Sequence, residues 1–579
     1  MTNAVIRKVF AAVAAVFFTL TGTLAVTVLL LFPSSVRAAD ELPSTTDMYG
    51  NTWYYKLKDG EAIVVSCAVD WKSFVDHNYE VAVPASCGAC SVVAVGDPDY
   101  RYSDGYSPYG HRPNPLFGGN TSLRAVIIPN TVREIGPFAF EQCTGLVYVG
   151  KDLQSRDHCV FPSKLKKLGT GAFYECSSLR VASEMFQNLE VIGVDAFYRC
   201  KKGIENLELG PTITELYSLP PVTNSLTIEG NGKTVLGCTG AASWCASSKV
   251  VTIRNAKSVL FSSSTMEELV IENVDTVGGG GDELKTLTIS GVKHYICYWR
   301  DFPKLERVNA ASLSDWCSIN FEGCPLLSQD GEPALFLNGV KLQGELVLPD
   351  DLKSVGSYQF GGCAGLVSVV IPEGVTNIGE NAFGECRDLA SVKLPDSLVA
   401  IGRNAFYGCE NLTAVSLPPG LKSFPSAFCR CTTLKSVTFP EGLEIVDENA
   451  FSWCGALKAA ILPAGLKVIG KNAFSECTNL SSVSFPESLE CIYGQAFAEC
   501  VSLPSNVDIP VNAFLCGYAF KNCTSLREVG CPVQQPSGIE DEYWLRSPFD
   551  GCSIGLTVVG NPESVPAFSF KPWSGVRSV

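Results

Sequence analysis

Histidine is nearly absent from this chain, which leaves little material for a catalytic or metal site. The four histidines show no metal-ligand spacing; they are His77, His111, His158 and His294. A zinc site needs three or four closely placed ligands, so the sequence predicts no metal. The segment 551–555, GCSIG, formally matches the G-x-S-x-G of α/β-hydrolases, but that mechanism needs a later histidine, and none follows His294. We therefore expect that the protein binds no cofactor and is not an enzyme.

Positive charge is also in short supply. Lys and Arg number 44 against 59 Asp and Glu, which gives a formal net charge of −15. Binding to nucleic acid or to an anionic membrane surface needs an excess of basic side chains, so neither partner is expected. Acidic residues that recur in the second half alternate with Lys and Arg, which indicates a solvated face rather than a carboxylate pair; they are Glu380, Glu385, Asp447, Glu448 and Glu476.

One long apolar run stands near the start of the sequence. Arg7 and Lys8 precede the run Val9–Phe32, and the small-residue pattern Val36-x-Ala38 follows it. This order is typical of a secretory signal peptide, although the run is also long enough to span a bilayer as an uncleaved signal anchor. Both alternatives predict that the rest of the chain is secreted or lies on the outer cell surface. The C-terminal end shows no apolar segment, so a membrane tether is expected only at Val9–Phe32.

A repeated pentapeptide dominates the sequence that remains. Ala-Phe-x-x-Cys recurs from 382 to 523 and is preceded by the variant QFGGC at 359–363. The closing cysteines are 23 residues apart, with a single step of 22; they are Cys363, Cys386, Cys409, Cys431, Cys454, Cys477, Cys500 and Cys523. A fixed period in the twenties is the signature of a solenoid.

Each repeat also contains a short apolar alternation. The cysteine is followed by L-x-x-V-x-L-P, as at Leu389, Val392 and Leu394. The V-x-L alternation predicts a short strand with one buried face, and the proline ends the strand because it lacks an N–H group. A second apolar set, which includes Leu398 and Ile401, indicates an irregular or one-turn helical return leg. The predicted fold is a β-rich solenoid with one short parallel strand per repeat.

The complete pattern over 359–523, L-x-x-I-x-x-x-A-F-x-x-C-x-x-L-x-x-V-x-L-P, resembles the BspA-type leucine-rich repeats of surface proteins. The resemblance implies a leucine-rich-repeat solenoid with a non-enzymatic role in protein interaction or adhesion. It also implies partners such as the host proteins fibronectin and fibrinogen, or other microbial cells. The segment 53–66, with Asp59-Gly60 as a hairpin turn, resembles the family's leading segment. Residues 334–349 resemble a connecting strand pair.

These patterns divide the chain into six predicted segments. Residues 1–39 are the signal peptide or anchor, 40–120 an N-terminal cap with an aromatic loop, and 121–200 BspA-type repeats. Residues 201–333 are degenerate shorter repeats, 334–530 regular 23-residue repeats, and 531–579 a degenerate last repeat and C-terminal cap.

Two of these segments carry more specific expectations. Within the cap, 79–84 and 92–96 predict the next two repeat strands. In 201–333 the strands are marked by Ile228, Ile253, Ile271 and Ile289, and Gly278–Gly281 predicts a turn. A separate inserted domain, including a hidden enzyme in 201–320, is the alternative.

Cysteine numbers 25, and 13 of these occupy the repeat position, including Cys143, Cys176, Cys200, Cys324 and Cys552. Stacked equivalents point the same way about 4.8 Å apart, whereas disulfide Cβ atoms face each other at about 3.8 Å. We therefore predict buried thiols at this position. Disulfides are expected among the others, such as Cys87/Cys90, Cys238/Cys245 and Cys297/Cys317. Cys87-Gly-Ala-Cys90 predicts a turn or local disulfide, because a redox motif needs a thioredoxin-like setting.

The predicted ligand-binding surface is the column of outward residues on the repeat strands: Ile127, Val370, Lys393, Ser416, Thr438, Ile461 and Ser484. A long face of small uncharged side chains suits an extracellular protein or glycan ligand, although such residues are also ordinary on any exposed strand. A glycan-binding module is the alternative function, with a platform of Tyr100, Tyr102, Tyr106, Tyr109 and Phe117. Candidate glycosylation sites are Asn120, Asn411, Asn479 and Asn522, which matter only in a cell that glycosylates exported chains.

Overall fold

The computed structural model describes residues 42–47, 51–68, 79–97, 116–152, 157–237, 247–297, 302–323, 326, 333–510, 512–530 and 548–552, and the backbone of 556–559 and 576–578. The chain divides into two compact units, Met1–Gly203 and Ile204–Val579. The run Val9–Phe32 lies outside the described residues. Among those described, no helix has the length and apolar character needed to cross a bilayer.

The repeating element in both units is a coil with two short strands and a corner. The first strand is the V-x-L strand, and Ser391–Lys393 pairs in parallel with Leu366–Val370 of the preceding coil. The second strand lies on the return leg, where Asn377–Ile378 pairs in parallel with Ala400–Ile401. The return leg is irregular as predicted except for this two-residue strand, which was not predicted. A two-residue strand is too short to show an apolar alternation in the sequence. The predicted solenoid of stacked parallel strands is confirmed.

First strands run through both units. In Met1–Gly203 they are Glu80–Ala82, Ala125–Ile127 and Tyr148–Gly150. In Ile204–Val579 they are Ile204–Leu209, Val222–Glu229, Val250–Arg254, Glu268–Glu272, Thr286–Ser290, Arg307–Ala310, Ala334–Leu337, Gly344–Val347, Leu366–Val370, Ser391–Lys393, Ala414–Ser416, Ser436–Thr438, Ala459–Ile461, Ser482–Ser484, Asn506–Asp508, Glu528–Gly530, Leu556–Val559 and Val576–Ser578.

Second strands form the other face of each unit. In Met1–Gly203 they are Cys90–Val95, Glu134–Ile135, Lys167–Leu168 and Val191–Ile192. In Ile204–Val579 they are Glu215–Leu216, Val235–Leu236, Ser258–Ser263, Thr276–Gly281, His294–Ile296, Asn320–Glu322, Ser354–Val355, Asn377–Ile378, Ala400–Ile401, Ile445–Val446, Val468–Ile469, Cys491–Ile492 and Phe514–Leu515.

The first unit opens with an antiparallel cap. Ser44–Thr46 pairs with Thr52–Lys58, which pairs with Glu61–Ala68 across the predicted Asp59-Gly60 turn. Both turn residues have positive φ, 53° and 79°, as a two-residue hairpin of this type requires. The prediction of two successive repeat strands at 79–84 and 92–96 is wrong in one respect. Glu80–Ala82 is a first strand, but Cys90–Val95 is the second strand of the same coil, paired with Glu61–Ala68.

Helix is confined, within the described ranges, to the 3-10 turn Ser183–Phe186 and the helix Leu313–Ser318. The hydroxyl of Ser312 caps the latter by accepting a hydrogen bond from the Asp315 N–H at 3.0 Å. Two further pairs of strands are antiparallel. Ser86–Cys87 pairs with the start of Cys90–Val95, and Ala334–Leu337 pairs with Val340–Lys341. The second pair confirms the strand pair predicted for 334–349.

The Ala-Phe-x-x-Cys segment forms the corner of each coil, here called the Phe corner, and it is hydrogen-bonded to its neighbour. The Phe383 N–H donates to the Ala405 carbonyl at 2.8 Å, and the Glu385 N–H donates to the Tyr407 carbonyl. The residues before Ala and before Cys both have positive φ, for example Asn381 at 51° and Glu385 at 59°. Asparagine tolerates this left-handed region better than most residues, which explains the recurring Asn-Ala-Phe.

Stacked phenylalanine rings fill the core beneath the Phe corners. In the second unit neighbouring rings lie nearly parallel, as at Phe383–Phe406 with centroids 5.4 Å apart and Phe406–Phe428 with centroids 5.2 Å apart. In the first unit Phe140 stacks on Phe173 at 5.3 Å. All of these rings are fully buried. Each offset pair of aromatic rings contributes about 0.5–1.5 kcal/mol beyond its area burial, so the column favours stacking of equivalent coils.

The degenerate coils of the second unit keep a strict strand register. Ile228 pairs with Ile253, Ile253 with Ile271, and Ile271 with Ile289. The predicted turn at Gly278–Gly281 is wrong, because Thr276–Gly281 is a second strand paired in parallel with Ser258–Ser263. Glycine is required there: Gly279 has φ +121°, and an added Cβ would lie 1.9 Å from the Phe261 carbonyl oxygen. The steps between these four isoleucines are 25, 18 and 18 residues, so the register is kept although the coil length changes.

One coil of the regular array lacks its second strand. It is the coil closed by Cys431, where the cysteine step is 22 instead of 23. Between Ala400–Ile401 and Ile445–Val446, a stretch described throughout, no second strand is formed. Pro425 stands where Gly402 donates its N–H to the Ile378 carbonyl, and proline has no N–H to donate. Burial raises the pKa of the nearby Asp447 carboxyl, and interactions with Ser423 and the Phe424 N–H offset part of that rise.

Candidate functional site: the outer face of the first strands

The central residue of each regular first strand points inward and its two neighbours point outward. Val415 is buried, whereas Ala414 and Ser416 are exposed. The alternation follows from the pleat of a strand. The structure places the predicted residues Val370 and Lys393 side by side, and it does the same for Ser416 with Thr438 and for Ile461 with Ser484. These six residues are here called the outer column.

The outer column is exposed, mostly small and nearly uncharged. Lys393, Ser416, Thr438, Ile461 and Ser484 are all exposed, and Val370 is half-buried. Ile461 has 74% of its side chain exposed, the highest fraction among the large apolar residues of the described chain. Such a face costs little to desolvate because few charges must lose water. It can therefore be covered by a partner without uncompensated charge burial.

The seventh predicted residue of the ligand-binding surface, Ile127, lies in the other unit. It belongs to the first unit, where Ala125–Ile127 pairs with Glu80–Ala82 on one side and Tyr148–Gly150 on the other. Its side chain is half-buried. We therefore restrict the candidate face of the second unit to the six residues of the outer column.

The degenerate coils carry a different outer face, which sequence reasoning missed. The Arg307 guanidinium lies 3.6 Å from the centre of the Phe336 ring, and its Nε donates to Asn309 Oδ1 at 2.6 Å. Asn309 Nδ2 donates to Thr288 Oγ1 at 3.0 Å on the preceding strand. The spacing of Ile228, Ile253, Ile271 and Ile289 was the available signal, because it fixes the register and hence the outward residues.

Charge is also ordered along these degenerate coils. Arg254 Nε donates to Glu272 Oε2 at 2.6 Å across neighbouring first strands. Side-chain hydrogen bonding to Glu272 raises the pKa of Arg254 further above its ordinary value. At the base of the strands Lys285 Nζ lies 2.9 Å from Glu267 Oε2. Hydrogen bonding to Lys285 in turn lowers the pKa of the Glu267 carboxyl. This face is already internally paired, in contrast to the outer column.

The repeat thiols are structural. Cys386, Cys409 and Cys431 each donate to the carbonyl oxygen of the Phe in the preceding Phe corner, at 3.0, 3.2 and 3.2 Å. The same contact is made in the first unit by Cys143 to Phe117 at 3.1 Å. Burial raises the pKa of Cys143 to about 12. The predicted buried thiols are thus observed at every described repeat position except Cys552, which is half-buried, and Cys324 lies outside the described residues.

A family model for the BspA type leucine rich repeat region matches six copies in this chain, over residues 113–219, 334–454 and 425–527. These ranges cover more than half of the sequence. The chain belongs to the BspA-type leucine-rich repeat family. The stacked parallel strands agree with this assignment, and the family predicted from the repeat pattern is confirmed.

Solved leucine-rich repeat structures resemble this BspA-type chain. A leucine-rich repeat protein from Bacteroides ovatus is 18% identical over 91% of this chain and 98% of its own, with a TM-score of 0.32. A leucine rich cell surface protein from Faecalibacterium prausnitzii is 21% identical over 82% and 95%, with a TM-score of 0.26. The T. pallidum leucine rich repeat protein is 32% identical over 28% and 78%, with a TM-score of 0.26. No curated protein matches the chain.

Phe117 cannot serve as a glycan platform in this BspA-type protein. Its ring is 95% buried and stacks on Phe140 with centroids 5.5 Å apart. Its N–H donates to the Ala139 carbonyl, so it occupies a Phe corner whose sequence is LFGGN. The variant QFGGC at 359–363 was the signal that could have identified it. The other four residues of the predicted platform, Tyr100, Tyr102, Tyr106 and Tyr109, lie outside the described residues.

The predicted disulfides are not formed where they can be seen. Cys87 and Cys90 are free thiols on either side of a two-residue hairpin turn, so the predicted turn is right and the local disulfide is wrong. Cys317 is also a free thiol, which contradicts the predicted link to Cys297. Desolvation raises the pKa of Cys317 to about 12. Cys238 and Cys245 lie outside the described residues.

The four sequons differ in their surroundings. Asn411 and Asn479 are exposed at equivalent positions of their coils. Asn120 stands at the Cys position of its coil, where its Oδ1 accepts from the Ser122 and Leu123 N–H groups at 3.1 Å. Asn522 donates its amide to Glu499. No group of three or more metal-ligating side chains occurs among the residues that the structure describes.

Proposed function

We propose that this BspA-type chain is a non-enzymatic interaction protein that binds an extracellular protein ligand through the outer column. The main observation behind the proposal is that the outer column is exposed and almost uncharged, and that its residues lie on paired parallel strands. Solenoids present such extended faces to protein partners. The internally paired face of the degenerate coils favours a separate, supporting role for that region.

The proposed location is the outer cell surface or the surrounding medium. The apolar run Val9–Phe32 with its basic flank supports export. The family resemblance supports a surface role, and adhesion to host matrix proteins or to other cells is the function proposed for it. A tether through Val9–Phe32 would hold the array at the membrane, whereas cleavage after Ala38 would release it.

The test is a binding comparison on the full chain. We expect Ser416→Arg with Thr438→Arg to reduce binding to immobilised extracellular matrix proteins and to microbial cells by about tenfold or more, because two bulky charges would be buried in the interface. Asn377→Arg with Ala400→Arg is the matched control, since these residues are equally exposed on second strands. Equal losses in both variants, or none in either, would contradict binding through the outer column.

A further inference from the structure

Two cysteines outside the repeat position face each other in the second unit. Cys491 Sγ and Cys516 Sγ lie 3.9 Å apart on neighbouring coils. Cys491 begins the second strand Cys491–Ile492, which pairs in parallel with Phe514–Leu515, and Cys516 follows directly after the latter. The repeat thiols that close the same two coils, Cys500 and Cys523, instead donate to phenylalanine carbonyls. This pair is therefore not part of the thiol column of the core.

A change in the backbone pattern makes room for the pair. Glycine occupies the position after the second strand at Gly356, Gly379, Gly402 and Gly470. An added Cβ at Gly379 would lie 2.4 Å from the Ser357 nitrogen, and at Gly470 2.6 Å from the Asp447 carbonyl carbon. The next two coils have Tyr493 and Cys516 at this position, while the Cys516 N–H still donates to the Ile492 carbonyl at 3.0 Å. The coils thus admit a side chain at 516 without losing the ladder.

We propose that Cys491 and Cys516 are an oxidisable thiol pair that closes into a disulfide across two neighbouring coils on reaction with a low-molecular-weight disulfide. The sulfur atoms, now 3.9 Å apart, need to approach by about 2 Å to reach the length of a disulfide bond. This inference concerns a modification of the scaffold, and it stands or falls independently of the ligand proposed for the outer column.

The two thiols have different roles in the proposed reaction. Cys491 is half-buried and Cys516 is 96% buried. The contact between the two thiols, in which either sulfur can donate, lowers the pKa of Cys491, and the same contact together with burial raises the pKa of Cys516. Cys491 is therefore the more accessible and the more readily ionised of the two, as an attacking thiol must be.

The reaction balances as two successive thiol–disulfide exchanges. The Cys491 thiolate attacks one sulfur of the small disulfide, forms a mixed disulfide and releases the first small thiolate, which takes up a proton. Cys516 then loses its proton to solvent, and its thiolate attacks Cys491 Sγ. The bond between Cys491 and the small thiol breaks, and the second small thiolate leaves with the electron pair. The two protein thiols are oxidised and one disulfide is reduced to two thiols.

The position of the pair gives the modification a consequence. The regular cysteine step of 23 residues ends at Cys523, and the next repeat cysteine is Cys552. A solenoid loses order first where its regular stacking ends, because each coil is held only by its neighbours. A covalent link between the coils at 491 and 516 would fasten the last regular coils. Reduction of the disulfide would leave these coils held together by hydrogen bonds and packing alone.

The experiment exposes the folded full chain to oxidised glutathione, quenches with acid, alkylates the remaining thiols, and maps linkages by peptide mass spectrometry. We expect a linked peptide joining Cys491 to Cys516, while Cys477 and Cys500 stay reduced. In Cys516→Ser, glutathione should remain attached to Cys491. In Cys491→Ser, Cys516 should stay reduced. Absence of the 491–516 link in the folded wild-type chain would overturn the proposal, and so would glutathione on Cys516 in Cys491→Ser.

Hydrogen exchange supplies a second readout that does not depend on the single variants. Oxidation should slow amide exchange in the linked coil, 492–515, by about tenfold or more, because local opening then has to strain a covalent bond. The regular coil at 382–405 is the internal control and should not change. Equal slowing in the double variant Cys491→Ser/Cys516→Ser would contradict the assignment to this pair.

Discussion

The Cys386 thiol donates to the carbonyl oxygen of Phe360, which precedes it by 26 residues, at 3.0 Å. The same carbonyl accepts the N–H of Cys363 within its own Phe corner, at 3.0 Å. One carbonyl therefore joins two coils, with the backbone of one and the side chain of the next. Serine would satisfy the oxygen but would not fill the apolar volume of the sulfur. This pairing explains why cysteine recurs there without forming disulfides.

Removing one repeat thiol should therefore destabilise the array. We expect Cys409→Ala to lower the free energy of unfolding by about 1–3 kcal/mol, because it leaves a cavity and removes one hydrogen bond to Phe383. Cys429→Ala is the matched control, since that thiol is only half-buried two residues from the repeat position. Denaturant unfolding monitored by circular dichroism measures both. Equal effects would show that the repeat position has no special role.

The stability of the first unit should decline in alkali. Burial raises the pKa of Cys143, Cys159 and Cys200 from 9.0 to about 12. The unfolded chain therefore loses these protons first as the pH rises. The contribution is fully present below pH 9.0 and is lost between pH 9.0 and about 12. Each thiol should contribute a slope of about −1.4 kcal/mol per pH unit in the unfolding free energy over that window.

The measurement for this pH effect is a set of urea melts through the thiol window. The double variant Cys143→Ala/Cys200→Ala serves as the control, because it removes two of the three thiols named above. A wild-type slope no steeper than that of the double variant would be the contrary result.

Gln359 replaces the usual alanine of a Phe corner for a structural reason. The Trp316 indole N–H donates to the Gln359 carbonyl at 2.7 Å, and the Gln359 amide donates to the Trp316 carbonyl. Both residues are almost fully buried. Restoring the repeat pattern with Gln359→Ala should therefore destabilise the chain, by about 1–3 kcal/mol, because the buried Trp316 carbonyl loses one of its two donors and keeps only the Ile319 N–H.

A double-mutant cycle with Trp316→Phe isolates this pair. The phenylalanine keeps most of the ring but removes the indole donor. We expect the two substitutions to be less than additive, since they disrupt one reciprocal contact. Strict additivity in chemical denaturation would indicate that the two residues act independently.

Gly279 should tolerate no side chain. Gly279→Ala would place a Cβ at 1.9 Å from the Phe261 carbonyl oxygen at a backbone φ of +121°. We expect a loss of about 3 kcal/mol or more in stability, or failure to fold. Gly210→Ala is the control, because nothing lies within 4 Å of its added Cβ. Comparable melting temperatures for the two variants would be inconsistent with the strand geometry at Gly279.

The first strands were predictable because an apolar alternation recurs at fixed intervals. Ile228, Ile253, Ile271 and Ile289 marked their strands even where the Ala-Phe-x-x-Cys signal was lost. The second strands were not predicted, because a two-residue strand such as Asn377–Ile378 has no period of its own. Its pairing is imposed by the stacking of the coils rather than by local sequence.

The other errors have equally local causes. A run of four glycines ordinarily indicates a turn, but at Gly278–Gly281 it permits close approach to Phe261 within a strand. Phe117 was counted with an exposed aromatic loop because its coil has asparagine in place of the repeat cysteine. Its burial depends on Phe140 and Trp53, which are distant in the sequence. The ligand proposed for the outer column has no such signature, because exposed serine and threonine suit many partners.

Pro425 sets the mechanical weak point of the regular array. Its coil lacks the backbone hydrogen bond that Gly402 donates in the coil before. If the chain bears tension in the adhesive role proposed above, neighbouring coils are expected to separate first where a lateral hydrogen bond is missing. The chain would then lengthen by yielding around Pro425, while the phenylalanine stacks on either side stay folded. The missing backbone N–H at Pro425 would thus allow the array to extend under force before a bound partner dissociates.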